Sequence, residues 1–136
     1  MDLVAIGSPH ASASEARRLA DLMEGRRRRP DVEVMVTLGR DVLCRRRAEG
    51  TAARLERAGV RLLSDLCWCS ITEPVFPREA TVLMTNSGKY AHYATGLTGR
   101  SVRFGSLEDC SRAALTGRAP GSLPHWLAQQ QPSELC

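Results

Sequence analysis

Residues 3–25 read LVAIGSPHASASEARRLADLMEG, and this stretch contains the strand-and-helix pattern that the rest of the chain repeats. Its first four residues are apolar and run into Gly7, which predicts a short buried strand over residues 3–6. Ser12 and Glu15 then have the spacing of a capping box, and apolar residues recur at helical spacing until Gly25. The stretch therefore predicts one strand followed by one amphipathic helix.

The same alternation of strand and helix continues along the chain. Further apolar strands are predicted over residues 32–38, 60–63, 81–85 and 102–104. A helix is expected from Asp41 to about Ala58, a last helix from Ser106 to Gly117, and a long loop over 70–80. Short apolar strands separated by helices are typical of an α/β fold: a five-stranded, mainly parallel sheet with helices on both faces.

A chain of 136 residues has the size of one domain. We predict an α/β domain over residues 1–118 and a peripheral tail over residues 119–136, which contains Trp126. The apolar runs are too short to span a bilayer, and the N-terminus lacks a basic region followed by an apolar stretch. These features predict a cytoplasmic protein without a membrane segment.

The net charge of +4 raises the question of nucleic acid binding. The arginines concentrate at residues 26–29 and 45–47, the first run between a helix and a strand and the second on a helix. No aromatic residues that could stack on bases interleave with them. A solvated basic face is therefore expected, and no nucleic acid partner.

The five cysteines do not predict disulfides, because the number is odd and the expected compartment is reducing. Cys44 and Cys110 fall at helix positions that look apolar, where a thiol is an ordinary small hydrophobic group. Cys136 is the last residue. Only Cys67 and Cys69 share a turn.

The pair Cys67-Trp68-Cys69 is a C-x-C motif after a predicted strand. Thiolates in such a turn could bind iron or zinc, although two ligands do not complete a site. His10 could be a third ligand, an acid or base, or a hydrogen-bonded turn residue. Because the carboxyl ends of parallel strands lie along one edge of a sheet, His10 and the cysteines are expected at the same rim.

Lys89 is the only lysine among 19 lysine and arginine residues. It lies in the polar turn 85–90, where a compact ammonium group is favoured over a planar guanidinium. Asn86, Ser87 and Gly88 add donors suited to a carboxylate or phosphate. Neither nucleotide-binding glycine motif occurs, so a nucleotide site is not expected.

Four stretches together resemble a known family. They are IGSPHAS at 6–12, DLCWC at 65–69, MTNSGKYAHY at 84–93 and GLTGRSVRFGS at 96–106. In this order and spacing they closely resemble the C-terminal part of the large subunit of aconitase X, within the aconitase superfamily. The resemblance runs from about Asp2 to Pro120.

This resemblance implies a hydro-lyase. Known members dehydrate cis-3-hydroxy-L-proline in bacteria or mevalonate 5-phosphate in archaea. An iron–sulfur or iron centre acts as Lewis acid on the leaving hydroxyl, and a serine on a separate swivelling small domain takes the proton. Carried onto this chain, Cys67 becomes the expected metal ligand and Cys69 a second candidate, while Ser8 and His10 are the candidates for catalysis. The residues expected to bind the substrate are Ser8, His10, Asn86, Ser87, Gly88 and Lys89.

The sequence departs from the family pattern in three respects. The N-terminal domains and the small domain of the family are absent from it. Ser8 stands where the wider superfamily has a cysteine, and the cysteine pair is C-x-C instead of C-x-x-C. We therefore expect a fragment or split subunit that is inactive alone and needs those missing parts. The alternative is an inactive remnant, or a binding or structural domain with inherited site residues.

Overall fold

The computed structural model describes residues 1–120, which form a parallel sheet flanked by helices. The elements in chain order are β1 Leu3–Ile6, α1 Ala13–Leu22, β2 Glu33–Leu38, α2 Arg40–Ala48, α3 Thr51–Arg57, β3 Arg61–Ser64, a 3-10 turn Trp68–Ser70, β4 Val82–Thr85, α4 Gly88–Thr98, β5 Ser101–Phe104 and α5 Leu107–Thr116. The predicted strands are all present within one residue of their expected starts. Apart from the 3-10 turn, residues 70–80 have no helix or strand, as predicted.

The strand order is β3-β2-β1-β4-β5, and every neighbouring pair is parallel. β1 is the central strand: Leu3 lies opposite Glu33 of β2 on one side and Leu83 of β4 on the other. The predicted five-stranded α/β sheet is therefore confirmed, and it is parallel throughout.

Two apolar cores lie on the two faces of this sheet, because successive side chains of a strand point to opposite faces. Val4 and Ile6 belong to the first core, which α1, α3 and α5 cover. Leu3 and Ala5 belong to the second core, which is closed by α4 and the segment 68–80. Helices thus lie on both faces, as expected. The two edge strands β3 and β5 are largely exposed.

The predicted single helix from Asp41 to Ala58 is wrong. Gly50 adopts φ +90° and separates α2 from α3, because this left-handed conformation ends one helix before the next begins. Asp41 does not cap α2 either. The N-cap is Gly39, and the first backbone N–H, that of Arg40, donates to the carboxylate of Asp65 at 2.8 Å. A side chain distant in sequence has taken the capping role.

Three side chains on the helices test the expected solvent exposure. Arg46 is only 6% exposed, so the prediction of a solvated face fails there; its guanidinium lies 3.1 Å from Glu49. Cys44 was expected to be buried and is exposed, because α2 buries little of its surface. Cys110 is fully buried as expected, and burial raises the pKa of its thiol to about 12.

The predicted tail falls almost wholly outside the structural description. Helix α5 ends at Thr116, and residues 121–136, with Trp126 and Cys136, lie beyond the described part. The division at residue 118 therefore stays a prediction. Within residues 1–120, no helix combines the length and the apolar character that crossing a membrane requires.

Candidate functional site

The predicted site residues follow the carboxyl ends of the central strands. β1 lies between β2 and β4. The chain adds β2 and β3 on one side of β1 and then returns to add β4 and β5 on the other side, so the strand order reverses at β1. Open parallel sheets bind ligands in the crevice at such a point. Ser8 follows β1 after Gly7, and Asn86 directly follows β4. The topology therefore places these two residues at one crevice.

Trp68 brings the cysteine turn to this crevice from the edge of the sheet. β3, which precedes the turn, is separated from β1 by β2. Trp68 is buried, its Nε1 donates a hydrogen bond of 3.0 Å to the carbonyl oxygen of Ile6, and its ring centroid lies 5.6 Å from that of Tyr90. The turn containing Cys67 and Cys69 is therefore anchored at the end of β1.

Asp65 fixes the start of the same turn. It is the one non-glycine residue with positive φ, +58°, among residues 1–120. Its two carboxylate oxygens accept hydrogen bonds from the backbone nitrogen and the Nε of Arg40, at 2.8 and 2.9 Å. This role could not be predicted from local patterns, because the two residues are 25 positions apart.

The two thiols lie side by side in a partly buried environment. Burial raises the pKa of Cys69, and the neighbouring Cys67 raises it further. The ammonium group of Lys89 and the hydroxyl of Ser8 act in the opposite direction. Ser8, Lys89 and the cysteine pair, predicted from three separate segments, are thus brought together.

The position of Ser8 depends on the preceding glycine. Gly7 has φ +93°, and a Cβ atom there would lie 2.7 Å from the backbone nitrogen of Ala11 and from Oγ1 of Thr37. Only glycine fits such a conformation and such close contacts. Gly7 therefore folds the chain tightly back over the end of the sheet and leaves Ser8 next to Cys69.

His10 lies on the rim but not with the thiols. It is exposed, and its Nδ1 lies 3.8 Å from the point where a Cβ atom on Gly39 would stand, which places it beside the start of α2. Within residues 1–120 it does not complete a group of three metal ligands with Cys67 and Cys69. Its predicted part in binding or catalysis remains a proposal.

Lys89 lies in the first turn of a helix, whereas the sequence predicted a turn without a helix. Ser87 caps α4, and its hydroxyl accepts a hydrogen bond from the backbone nitrogen of Tyr90 at 3.2 Å. Lys89 is exposed and has no ion pair with the carboxylates of residues 1–120. A free ammonium group at the positive end of a helix favours an anion.

Three buried polar atoms around the crevice have no hydrogen-bond partner in the described part of the chain: Ser8 Oγ, Asn86 Oδ1 and Tyr90 Oη. Burial, and then the charges of Cys69 and Cys67, raise the pKa of Tyr90 to about 12, so its phenol stays protonated. Buried polar atoms without partners are costly and rare. Their concentration here is typical of a site that a ligand completes. The sequence did not identify Tyr90 as part of it.

The side-chain amide of Asn86 has one partner. Its Nδ2 donates to Oε1 of Glu15 at 3.3 Å, while Oε2 of Glu15 accepts from the backbone nitrogen of Ser12 at 2.7 Å. The capping box predicted from the sequence is present, and it also holds a site residue. That second contact of Glu15 was not foreseen.

The cysteine pair fits part of a soft metal site. Two adjacent thiols can supply two ligands to iron or zinc. No group of three or more His, Cys, Asp or Glu side chains that could hold a metal ion occurs within residues 1–120. The pair therefore supplies two soft ligands and does not complete a metal site within these residues.

The sequence matches the model of a known family, the aconitase X third domain, over residues 1–116. This chain belongs to the aconitase X family. It is 52% identical over 129 residues to the cis-3-hydroxy-L-proline dehydratase of Pseudomonas aeruginosa. The aligned region covers 95% of this chain and 22% of that protein. It is 30% identical to the phosphomevalonate dehydratase large subunit of Methanocaldococcus jannaschii, over 79% of this chain and 26% of that subunit.

A solved aconitase X structure has the same fold. The holo-form crystal structure of aconitase X from Thermococcus kodakaraensis superposes with a TM-score of 0.71 at 29% identity, covering 83% of this chain and 28% of that one. The chain therefore spans less than a third of the length of these aconitase X proteins. The family resemblance expected from the four sequence stretches is confirmed.

Proposed function

We propose that this aconitase X domain forms part of a hydro-lyase site for a small hydroxy-carboxylate such as cis-3-hydroxy-L-proline. The observation that carries the proposal is that Ser8, the cysteine turn and Lys89 lie at one end of the sheet, where the charge of Lys89 acts on the thiol of Cys69. Dehydration of a hydroxy acid needs an electrophile at the leaving hydroxyl and an anchor for the carboxylate. The thiol pair offers ligands for a metal ion that acts as the electrophile. The unpaired ammonium group offers an ion-pair partner for the carboxylate. The higher identity to the cis-3-hydroxy-L-proline dehydratase favours that substrate over mevalonate 5-phosphate.

The start of α4 is the proposed carboxylate site. The first backbone N–H groups of a helix have no partner within the helix, and here they belong to Gly88 and Lys89. The hydroxyl of Ser87 caps the helix and holds this turn in place. The ammonium group of Lys89 adds a full positive charge. Together these groups orient the acid end of the substrate.

Cys67 is the proposed metal ligand, and Cys69 is the second candidate. An iron or iron–sulfur centre, when bound, supplies Lewis-acid chemistry at the leaving hydroxyl. The chain itself positions the two thiols through Trp68, and the buried rings of Trp68 and Tyr90 keep water from the inner side of the turn. The remaining ligands would come from the parts of the enzyme that the aconitase X relatives possess beyond this domain.

Ser8 and His10 have different proposed roles. The buried hydroxyl of Ser8, beside Cys69, can hold a substrate oxygen near the metal ligands. His10 is exposed at the start of α2 and is the candidate for exchanging a proton with solvent. The base that removes the substrate proton would come from the small domain, as the family resemblance implies. We further propose that the assembled enzyme is cytoplasmic.

The test is to reassemble the enzyme. The chain would be co-expressed with the remaining regions of a full-length relative such as the Pseudomonas aeruginosa protein, loaded anaerobically with iron, and assayed for consumption of cis-3-hydroxy-L-proline and mevalonate 5-phosphate. We expect loss of water from the hydroxyproline only in the assembled enzyme. A stable, iron-loaded assembly that dehydrates neither compound would contradict the proposal and favour a remnant with idle site residues.

A further inference from the structure

The contact with Glu15 determines which end of the Asn86 side-chain amide faces which way. A carboxylate can only accept hydrogen bonds, so the NH2 end of the amide must face Oε1 of Glu15, at 3.3 Å. The carbonyl end, Oδ1, then points away from Glu15, where it is buried without a donor. The structure therefore presents Asn86 as a hydrogen-bond acceptor.

This orientation changes the role expected from the sequence. Asn86 was predicted to donate to a substrate carboxylate, but its NH2 group faces the carboxylate of Glu15, and the oxygen that is left without a partner cannot bind a second carboxylate. The negative charge of Glu15 behind the amide also repels an anion and attracts a cation. The group that satisfies Asn86 Oδ1 is thus an N–H or O–H donor, and a positively charged donor is favoured.

We propose that Asn86 Oδ1, oriented by Glu15, accepts a hydrogen bond from the ammonium group of an amino-acid substrate. This inference rests on the proposed function, because it places the carboxylate of the same substrate at the start of α4. Asn86 is separated from α4 only by its cap, Ser87. An α-amino acid carries its ammonium and carboxylate groups on one carbon, so adjoining sites for the two match its shape.

An ammonium site at Asn86 would distinguish the two kinds of substrate named for the relatives. Cis-3-hydroxy-L-proline has a ring ammonium group, and mevalonate 5-phosphate has none. A compound without the ammonium group leaves Asn86 Oδ1 buried and unpartnered, which costs binding. Asn86 and Glu15 would therefore select for an amino acid.

The test uses ligand titrations of the 136-residue chain, followed by the NMR signals of its side-chain amides. L-Proline carries both charged groups, and tetrahydrofuran-2-carboxylate replaces the ring ammonium with an ether oxygen. We expect L-proline to shift the Asn86 amide signals and to bind on the order of tenfold or more tightly than the ether. Equal affinity for the two compounds, or no response of the Asn86 signals to L-proline, would overturn the proposal.

Matched variants separate recognition from folding. Asn86→Ala should bring the affinity for L-proline down to that for the ether. Glu15→Gln keeps an acceptor for the backbone nitrogen of Ser12 but lets the Asn86 amide turn over, so it should weaken L-proline binding as well; the loss of charge also weakens the capping box. Ser12→Ala breaks the same capping box and leaves the contact between Glu15 and Asn86 intact. L-Proline binding weakened equally by Ser12→Ala and Glu15→Gln would show that only helix stability matters.

Failure of this proposal and failure of the proposed function are distinguishable. The titrations need neither metal nor turnover, whereas the reassembly assay measures dehydration. An assembled enzyme that dehydrates cis-3-hydroxy-L-proline with Asn86→Ala as well as with the wild type would keep the hydro-lyase and remove the ammonium site. A chain that binds L-proline through Asn86, in an assembly that does not dehydrate cis-3-hydroxy-L-proline, would keep the ammonium site and remove the hydro-lyase.

Discussion

Trp68 and Ile6 are 62 positions apart in the sequence and are joined by a hydrogen bond of 3.0 Å from the indole nitrogen to the backbone carbonyl. The donor lies between the two cysteines, and the acceptor is the last residue of β1. This contact connects the metal-binding candidates to the central strand. It makes the cysteine turn part of the sheet edge despite its origin at β3.

Trp68→Phe should destabilise the fold. The substitution keeps an aromatic ring against Tyr90 but leaves the carbonyl of Ile6 without its donor. We expect the free energy of unfolding to fall by about 1–3 kcal/mol, the cost of an unsatisfied buried acceptor. Trp68→Ala should cost more, on the order of 3–5 kcal/mol, because it also opens a cavity. Urea unfolding followed by circular dichroism measures both, and an unchanged stability of Trp68→Phe would contradict the contact.

Asp65 should respond to substitution in a definite order. Asn keeps an acceptor for the backbone nitrogen of Arg40 and tolerates positive φ, so Asp65→Asn should be mild. Asp65→Gly and Asp65→Ala both lose the hydrogen bond that caps α2. Glycine adopts the positive φ at this position without strain, whereas alanine does not. We expect Asp65→Ala to cost about 1–2 kcal/mol, mainly from the lost cap. The ion pair with Arg40 is exposed and adds little. Thermal unfolding gives the ranking, and Gly ranking below Ala would contradict it.

Removing Lys89 should slow the chemistry of Cys69. The ammonium group of Lys89 lowers the pKa of that thiol, against the larger effect of burial. In Lys89→Gln the pKa therefore rises further, and the thiolate fraction at a fixed, mildly alkaline pH falls. Alkylation by iodoacetamide, mapped by mass spectrometry, should become slower at Cys69 and stay unchanged at Cys110. Arg112→Gln removes the same charge from the far helix α5, so an equal effect of that variant would show that net charge alone is responsible.

In the reassembled enzyme, Lys89→Ala should impair turnover. A charge-assisted hydrogen bond to a carboxylate contributes on the order of 1.5–3 kcal/mol, which corresponds to roughly 10- to 150-fold in kcat/KM. Lys89→Arg should also be impaired, since a planar guanidinium does not replace a compact ammonium group in this turn. Steady-state rates of the wild type and both variants decide the matter. Wild-type rates in both variants would make Lys89 an ordinary surface residue.

Asp2 should contribute to acid sensitivity. Its Oδ2 accepts hydrogen bonds from the backbone nitrogens of Val82 and Thr81 and from the Thr81 hydroxyl, at 2.9, 2.9 and 2.8 Å. These bonds, that of Val82 foremost, hold the pKa of Asp2 below its usual value. The folded pKa lies below that of the unfolded chain, so this stabilisation is present above about pH 3.9 and is lost as pH falls through the folded value.

Asp2→Asn should therefore lower the free energy of unfolding at neutral pH and reduce its decline in acid. Urea unfolding at a series of pH values measures the effect. Asp41→Asn, at an exposed position, is the matched control. An acid profile of Asp2→Asn identical to that of the wild type would contradict the role of these hydrogen bonds.

Local patterns predicted the sheet well. Short apolar runs such as residues 3–6 and 81–85 correspond to strands, because burial on both faces of a parallel sheet demands continuous apolar sequence. The capping box predicted at Ser12 forms, and the last helix begins at Ser106 as expected, since both signals depend on residues only three positions apart. The rim could also be predicted, because it consists of the residues that follow the carboxyl ends of the parallel strands.

Contacts between distant segments could not be predicted. Asp65 caps α2 in place of the nearer Asp41, and Glu15 orients Asn86 across 71 positions. Helix α4 was missed because the glycines and aromatic residues after Ser87 are weak helix formers in isolation, and packing of Tyr90 against the sheet overrides that preference. Such relationships arise only when the sheet has assembled and brings its loops together.

The double use of Glu15 couples two traits that could otherwise vary separately. One carboxylate starts helix α1 and sets the direction of the Asn86 amide. Under the proposed role of Asn86, a substitution of Glu15 that changes substrate preference also weakens the fold, and one that strengthens the helix start disturbs selectivity. Adaptation to a new substrate should proceed through Asn86 first, with Glu15 among the last residues free to change.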